Sequence, residues 1–273
     1  MSNASIDAEK FFRLFLDELR IHQEMQPYYK FLSNDNRFFF RKNYFQRRLN
    51  FIRSKINSRE EAIWDVGCGY GTTAIYLALN GFKVHGSTLE SYHEITQRRI
   101  AYWSRYGDLG NLTLAYEDIF TKPLLPFTPS TIIVQDTLHH LEPIGEALQL
   151  FHDILASKGK ILVIEENGEN LIQKVILYLR RGSKRVITIH DHTLNKDITI
   201  GNENTRSMKA WEDLFRTAGF LVGDIEYLRC LPPFMWNESN SDKLQKLERE
   251  LWRRNNVLRK YFYFGMNFLA AKI

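Results

Sequence analysis

The sequence predicts an α/β protein: a mainly parallel sheet with helices on both faces, preceded by a helical segment. Three observations carry that prediction. Phe11, Phe12, Leu14, Phe15 and Leu19 form an apolar stripe at helical spacing, uninterrupted by Pro or Gly. At Ala62 the pattern changes to a short apolar run, a glycine cluster and a helical run, which reads as strand, turn and helix. From there apolar runs alternate with helical stretches, the pattern of a parallel sheet covered on both faces.

Residues 6–57 are expected to be helical, with a break at Ser33-Asn34-Asp35-Asn36 and a second helix over Phe38–Ile56. Ala62-Ile63-Trp64 begins the first strand. A helix over Thr72–Asn80 and a strand over Phe82–Thr88 follow. Further strands are expected at Leu112–Tyr116, Thr131–Gln135, Lys160–Glu165, Leu221–Leu228 and Tyr261–Ala271. The intervening helices are Tyr92–Tyr106, Ile144–Ser157 and Ser207–Ala218. A last long one, Ser241–Lys260, carries Leu244, Leu247, Leu251 and Leu258 on one side. Asn167–Thr205 is too long for a simple connection and reads as an insertion. The expected organisation is a helical cap over residues 1–57 and a main domain over 58–273, with the insertion at about 167–205. The opening Met1-Ser2-Asn3-Ala4 reads as an expression scar and lacks the layout of a signal peptide.

Composition narrows the classes. With 44% hydrophobic residues, 25% charged residues, 15 Gly and 7 Pro, the 273-residue chain is neither collagen-like nor disordered. Two cysteines, Cys68 and Cys230, cannot build a disulfide framework, so a reducing, cytoplasmic setting is expected. No apolar run reaches the roughly 18 residues of a membrane span. The net charge is +5. Residues 1–60 hold twelve Lys and Arg against seven Asp and Glu. A second basic cluster is Lys174, Arg180, Arg181, Lys184 and Arg185. Each reads first as a solvated helix face, and second as a patch for phosphate, acidic substrates or a membrane surface.

The most informative segment is Ile63-Trp64-Asp65-Val66-Gly67-Cys68-Gly69-Tyr70-Gly71-Thr72. A buried strand ends in a G-x-G-x-G turn that opens a helix, and glycines there let the backbone turn sharply beside a ligand. The nicotinamide fingerprint G-x-G-x-x-G does not match, and no G-x-x-x-x-G-K-[ST] phosphate loop is present.

Asp65-Val66-Gly67-Cys68-Gly69-Tyr70-Gly71 closely resembles motif I of the class I S-adenosylmethionine-dependent methyltransferases. The resemblance extends over about residues 60–230 and the final strand. It implies a Rossmann-like, seven-stranded sheet and S-adenosylmethionine as cofactor, with S-adenosylhomocysteine as product. It also implies that Asp65 and the loop of Gly67, Cys68, Gly69 and Gly71 hold the methionine end. That is chemically sensible, because the cofactor offers an ammonium and no phosphate.

The family usually ends its second strand in an acid that grips the ribose. Here Thr88 stands in that position, with Glu90 two residues on, so the two are assigned the contact jointly. Gly86-Ser87-Thr88-Leu89 resembles the subgroup of cyclopropane fatty acid synthases and tocopherol methyltransferases, in which His93 would also assist. After the third strand, Asp118 and Ile119 resemble the adenine clamp, an acceptor for the exocyclic amine beside an apolar residue. At the fourth strand end, Gln135 is expected to line the cofactor. Asp136, His139 and His140 are the candidates for the acceptor side, where a histidine could take a proton from a nucleophile.

Three signals resemble sites and are set aside. Leu231-Pro232-Pro233-Phe234 stands after the sixth strand, not the fourth, and lacks the amide or carboxylate of the amino-methylating motif. Neither cysteine has a zinc-site partner. His190-Asp191-His192 is too short a cluster to argue for a metal, and none is expected. The expected acceptor is a small or lipid-like molecule, its O, N or C unresolved, with peripheral membrane contact left open. A nucleic acid acceptor is disfavoured, though the basic N-terminus keeps it as an alternative. A non-catalytic cofactor-binding scaffold is the other.

Overall fold

The computed structural model describes residues 5–33, 36–89, 94–121, 123–254 and 256–273. The first helix, α1 (Ala8–Ile21), starts at Asp7, whose carboxylate caps the Lys10 amide. A short α2 (Gln26–Tyr29) and a long α3 (Phe38–Lys55) follow. The alternating part then runs β1 (Ala62–Val66), α4 (Thr72–Leu79), β2 (Lys83–Thr88), α5 (Thr96–Trp103), β3 (Leu112–Tyr116), β4 (Thr131–Gln135), α6 (Ile144–Ile154) and β5 (Lys160–Glu166). The 167–205 segment folds as α7 (Leu171–Arg181) and a hairpin of β6 (Val186–Asp191) with β7 (Lys196–Gly201). The chain ends in α8 (Met208–Thr217), β8 (Phe220–Leu228), α9 (Ser241–Arg254), α10 (Asn256–Tyr261) and β9 (Gly265–Lys272).

Among the described residues the main sheet has seven strands in the order β3-β2-β1-β4-β5-β9-β8. Only β9 runs against its neighbours. The expected doubly covered sheet is therefore present. Some boundaries differ from the sequence reading. The last strand begins at Gly265, because Tyr261 still closes a helical turn, and the long helix before it is two helices. Of the helix expected over Tyr92–Tyr106, Thr96–Trp103 is helical; Glu90, Tyr92 and His93 lie outside the described residues.

Successive strand side chains point to opposite faces, so the central strands feed two cores. On one face Ile63, Ile133 and Leu162 meet α1, α3, α4 and α5 through Phe11, Ile52, Ile75 and Trp103. On the other, Trp64, Ile132 and Val163 meet α6 and α8 through Phe151, Trp211 and Phe215. The N-terminal helices thus share the first core with the sheet.

One ionic contact ties them to the glycine turn. Arg99 of α5 and Glu18 of α1 are fully buried. They pair through Nε–Oε1 at 2.8 Å and Nη2–Oε2 at 2.7 Å. Arg99 Nη1 also donates to the Tyr70 carbonyl and, at 2.8 Å, to Thr72 Oγ1. Removing one partner of a buried pair leaves an uncompensated charge. We therefore expect Arg99→Met to lower unfolding stability by about 3–5 kcal/mol. The double variant Glu18→Leu/Arg99→Met should recover much of that loss in urea denaturation. A loss in the double variant equal to the sum of the losses in Glu18→Leu and Arg99→Met alone would show that the pair is not coupled.

Candidate functional site

The C-terminal ends of β1, β2, β3 and β4 open into a cavity of about 690 Å³. The crevice beyond the carboxyl ends of the strands is where open α/β sheets bind ligands. Gly67, Cys68 and Gly69 form its floor together with Thr88, while Asp118, Ile119 and Gln135 line one side. Gly67, Gly69 and Gly71 all have positive φ, at 69°, 53° and 73°. Gly67 has a second constraint: a Cβ there would stand 2.4 Å from the Thr137 side chain. Substitution at Gly67 therefore deforms the turn itself.

Asp65 does not reach the cavity wall. It is buried under the turn, and neither carboxylate oxygen has a hydrogen-bond partner. Burial pushes its carboxyl up to about 7, against the counter-pull of Gln135 and Arg48. A buried acid without a well-formed hydrogen bond is costly to ionise. Burial also pushes the Cys68 thiol well up, which keeps it protonated beside that acid.

The end of β4 is held by a residue that sequence reading missed. Glu165 of β5 accepts from the Thr137 and Leu138 amides, at 3.0 and 2.7 Å, and its Oε2 lies 2.6 Å from His139 Nδ1. Burial works to depress His139, but the Glu165 carboxylate outweighs it and holds the imidazolium up to about 9. His139 is thus buried behind the wall, its ring held by Glu165. His140 lines the cavity instead, with Nδ1 2.9 Å from the Gly201 carbonyl. The two histidines and Glu203 each offer a ligand atom within 4.8 Å of one another, a grouping able to hold a metal ion. The tripeptide His190-Asp191-His192 supplies no such group among the described residues.

Asp136 stands at the rim in a left-handed conformation, φ 47°, which a non-glycine residue adopts only under constraint. Its carboxylate is 2.9 Å from Arg48 Nη1 of α3. Gln135 bonds Thr73 at 2.8 Å. Asp118 is engaged as well: its Oδ2 lies 2.6 Å from Lys196 Nζ, brought over by the β6–β7 hairpin. Tyr116 fixes the same hairpin through Asp191, at 2.6 Å. Ile189, Ile198 and Ile200 from it close one side of the cavity, opposite Tyr28, Phe40 and Tyr44 from the N-terminal segment. Arg229, stacked over the Tyr44 ring at 4.6 Å, completes that end. Leu231-Pro232-Pro233-Phe234 does not line the cavity, and Phe234 is exposed.

The family model described as a methyltransferase domain matches residues 38–222, more than half of the chain. The chain belongs to this family. It is a class I methyltransferase enzyme, and its cofactor is S-adenosylmethionine. A search of the curated proteins finds no match. Among solved structures, the magnesium protoporphyrin IX methyltransferase of Synechocystis PCC 6803, with S-adenosylhomocysteine bound, is 14% identical at TM-score 0.56. That match covers 96% of this chain and all of the other. Phosphoethanolamine N-methyltransferase 2 of Haemonchus contortus, in complex with S-adenosylmethionine, is 16% identical at TM-score 0.53 over 83% of this chain. The methyltransferase chain spans only 52% of that enzyme's length. A methyltransferase of Archaeoglobus fulgidus is 15% identical at TM-score 0.52, covering 83% of this chain and 92% of that one. At these identities the likeness establishes the fold. No helix among the described residues is long and apolar enough to cross a membrane.

The state of Asp65 gives a pH signature. Its folded pKa of about 7 lies above the ordinary 3.8, so between these values the native protein keeps a proton that the unfolded chain has lost. Stability then falls as pH rises through that window, by on the order of 4 kcal/mol in all. Relative to Asp65→Asn, the wild-type melting temperature should drop from about pH 4 to about pH 7. Parallel curves for the two proteins would mean that the carboxyl titrates normally.

Proposed function

We propose that this methyltransferase transfers the methyl group to a small molecule with an apolar body, seated between the N-terminal helices and the β6–β7 hairpin. The observation that carries this reading is the lining of the cavity's far half. Aromatic residues of the N-terminal segment and isoleucines of the β6–β7 hairpin, both additions to the sheet, supply its apolar surface. Among the basic residues of the lining, Arg48 is matched by Asp136. Two structural neighbours carry the names of enzymes acting on small molecules, in keeping with this class.

When bound, the cofactor supplies an activated methyl on a sulfonium. In our reading the turn at Gly67, Cys68, Gly69 and Gly71 takes the methionine end, with Asp65 beneath as counter-charge to its ammonium. Thr88, with Glu90, meets the ribose. Ile119 packs on the adenine, and Asp118 accepts from its amine by sharing or releasing Lys196. Gln135 borders the cofactor, and residues 1–57 serve as the cap. Asp136 and Arg48 orient the acceptor. His140, with its Nδ1 hydrogen given to Gly201, presents the Nε2 lone pair and takes the acceptor's proton. His139 is the charged partner of Glu165 and positions the turn. The protein's main contribution is placement and exclusion of water.

S-adenosylhomocysteine should raise the melting temperature of the wild type and of His140→Ala equally, but much less that of Asp65→Asn. With labelled cofactor and a panel of small hydroxyl and amine acceptors, His140→Ala should lose about 10²–10⁴ in kcat. Transfer to RNA with no turnover of any small acceptor would overturn the acceptor class. Unchanged kcat in His140→Ala would remove the base.

A further inference from the structure

The helix α7 is amphipathic, and its apolar side faces solvent. Val175, Tyr178 and Leu179 are 60%, 67% and 78% exposed, and Leu171, Ile172 and Ile176 are exposed with them. Only Gln173 and Leu177 turn inward. So many large apolar side chains on one 11-residue helix are more than the scattered exposure of a soluble surface. At 100° per residue, the six exposed apolar side chains span one continuous arc. Lys174 and Arg181 border it on one side and Arg180 on the other. Lys184 and Arg185 continue the basic border into the exposed Val186 of β6. Residues 171–190 contain no acidic side chain.

We propose that α7 and the start of β6 dock this enzyme on a membrane surface bearing anionic lipid headgroups. The apolar arc enters the interface and the flanking Lys and Arg meet the headgroups. Charge complementarity selects this occupant. A second copy packed on the same face in a twofold arrangement would set basic borders against each other without a compensating acid. Ile189, three residues on from Val186, points to the other face of β6 and lines the cavity.

The test is co-sedimentation of the full chain with vesicles of phosphatidylcholine alone and of phosphatidylcholine with phosphatidylserine. The wild type should sediment with the anionic vesicles only, and high salt should release it. Val175→Asp/Leu179→Asp should abolish sedimentation. Arg180→Gln/Lys184→Gln/Arg185→Gln should weaken it at least tenfold, given about 1 kcal/mol per basic residue at such a surface. Both variants alter exposed positions outside the cavity and should keep the melting shift with S-adenosylhomocysteine, which separates this proposal from the acceptor reading. Failure of the wild type to bind anionic vesicles would overturn it. So would variants that bind as wild type. A concentration-dependent dimer lost in Val175→Asp/Leu179→Asp, without vesicle binding, would assign the face to a second copy instead.

Discussion

The buried pair of Arg99 and Glu18 is the constraint on which the site depends. A guanidinium taken out of water needs acceptors for its N–H groups, and four of the five on Arg99 are met by partners on α1 and the turn. Two are the Glu18 oxygens of α1. The others are the Tyr70 carbonyl and the Thr72 hydroxyl of the glycine turn. Moving α1 would strand a charge in the core, so the N-terminal helices cannot drift from the turn. Tyr29 adds a contact to the same Thr72 hydroxyl, at 2.5 Å. The segment that walls the cavity and the loop that floors it are thereby one mechanical unit.

A second buried acid does similar work at the opposite rim. Glu165 gathers the Thr137 and Leu138 amides and the His139 ring, so the chain leaving β4 has one path open to it. That path turns His139 inward and His140 outward. Asp136 absorbs the bend in its left-handed backbone. The β6–β7 hairpin then locks down on this turn. Gly201 packs so closely on His139 that a Cβ would fall 2.0 Å from its carbonyl oxygen, while Lys196 and Asp191 hold the far end. Arg48 is paired with Asp136 and Lys196 with Asp118, and rings and branched aliphatics bound part of the space between.

Much of this was legible in advance, and for a local reason. Strand and helix periods, the G-x-G-x-G turn and its need for positive φ are properties of neighbouring residues. The doubly covered sheet and the position of Gly67, Cys68 and Gly69 in the cavity accordingly appear where the sequence puts them. The family relation followed from the same short segment. The misplaced boundary at Tyr261 is also local: an aromatic run suits a strand, but the preceding helix had one more turn to finish.

Other features depended on distance. Nothing in Asp118 announces that Lys196, 78 residues later, will occupy its carboxylate. Nor does His139-His140 say which ring faces the cavity, since that depends on Glu165 and Gly201 from other elements. The amphipathic pattern of α7 establishes that one face is apolar, but only packing decides whether that face meets the sheet or the solvent. What the sequence determined by itself was the chemistry encoded at short range: the layered α/β order and the turn built to approach a ligand. Only the tertiary structure decided the pairing of buried charges, because a charge in a low-dielectric interior is governed by whichever group the fold brings within a few ångströms.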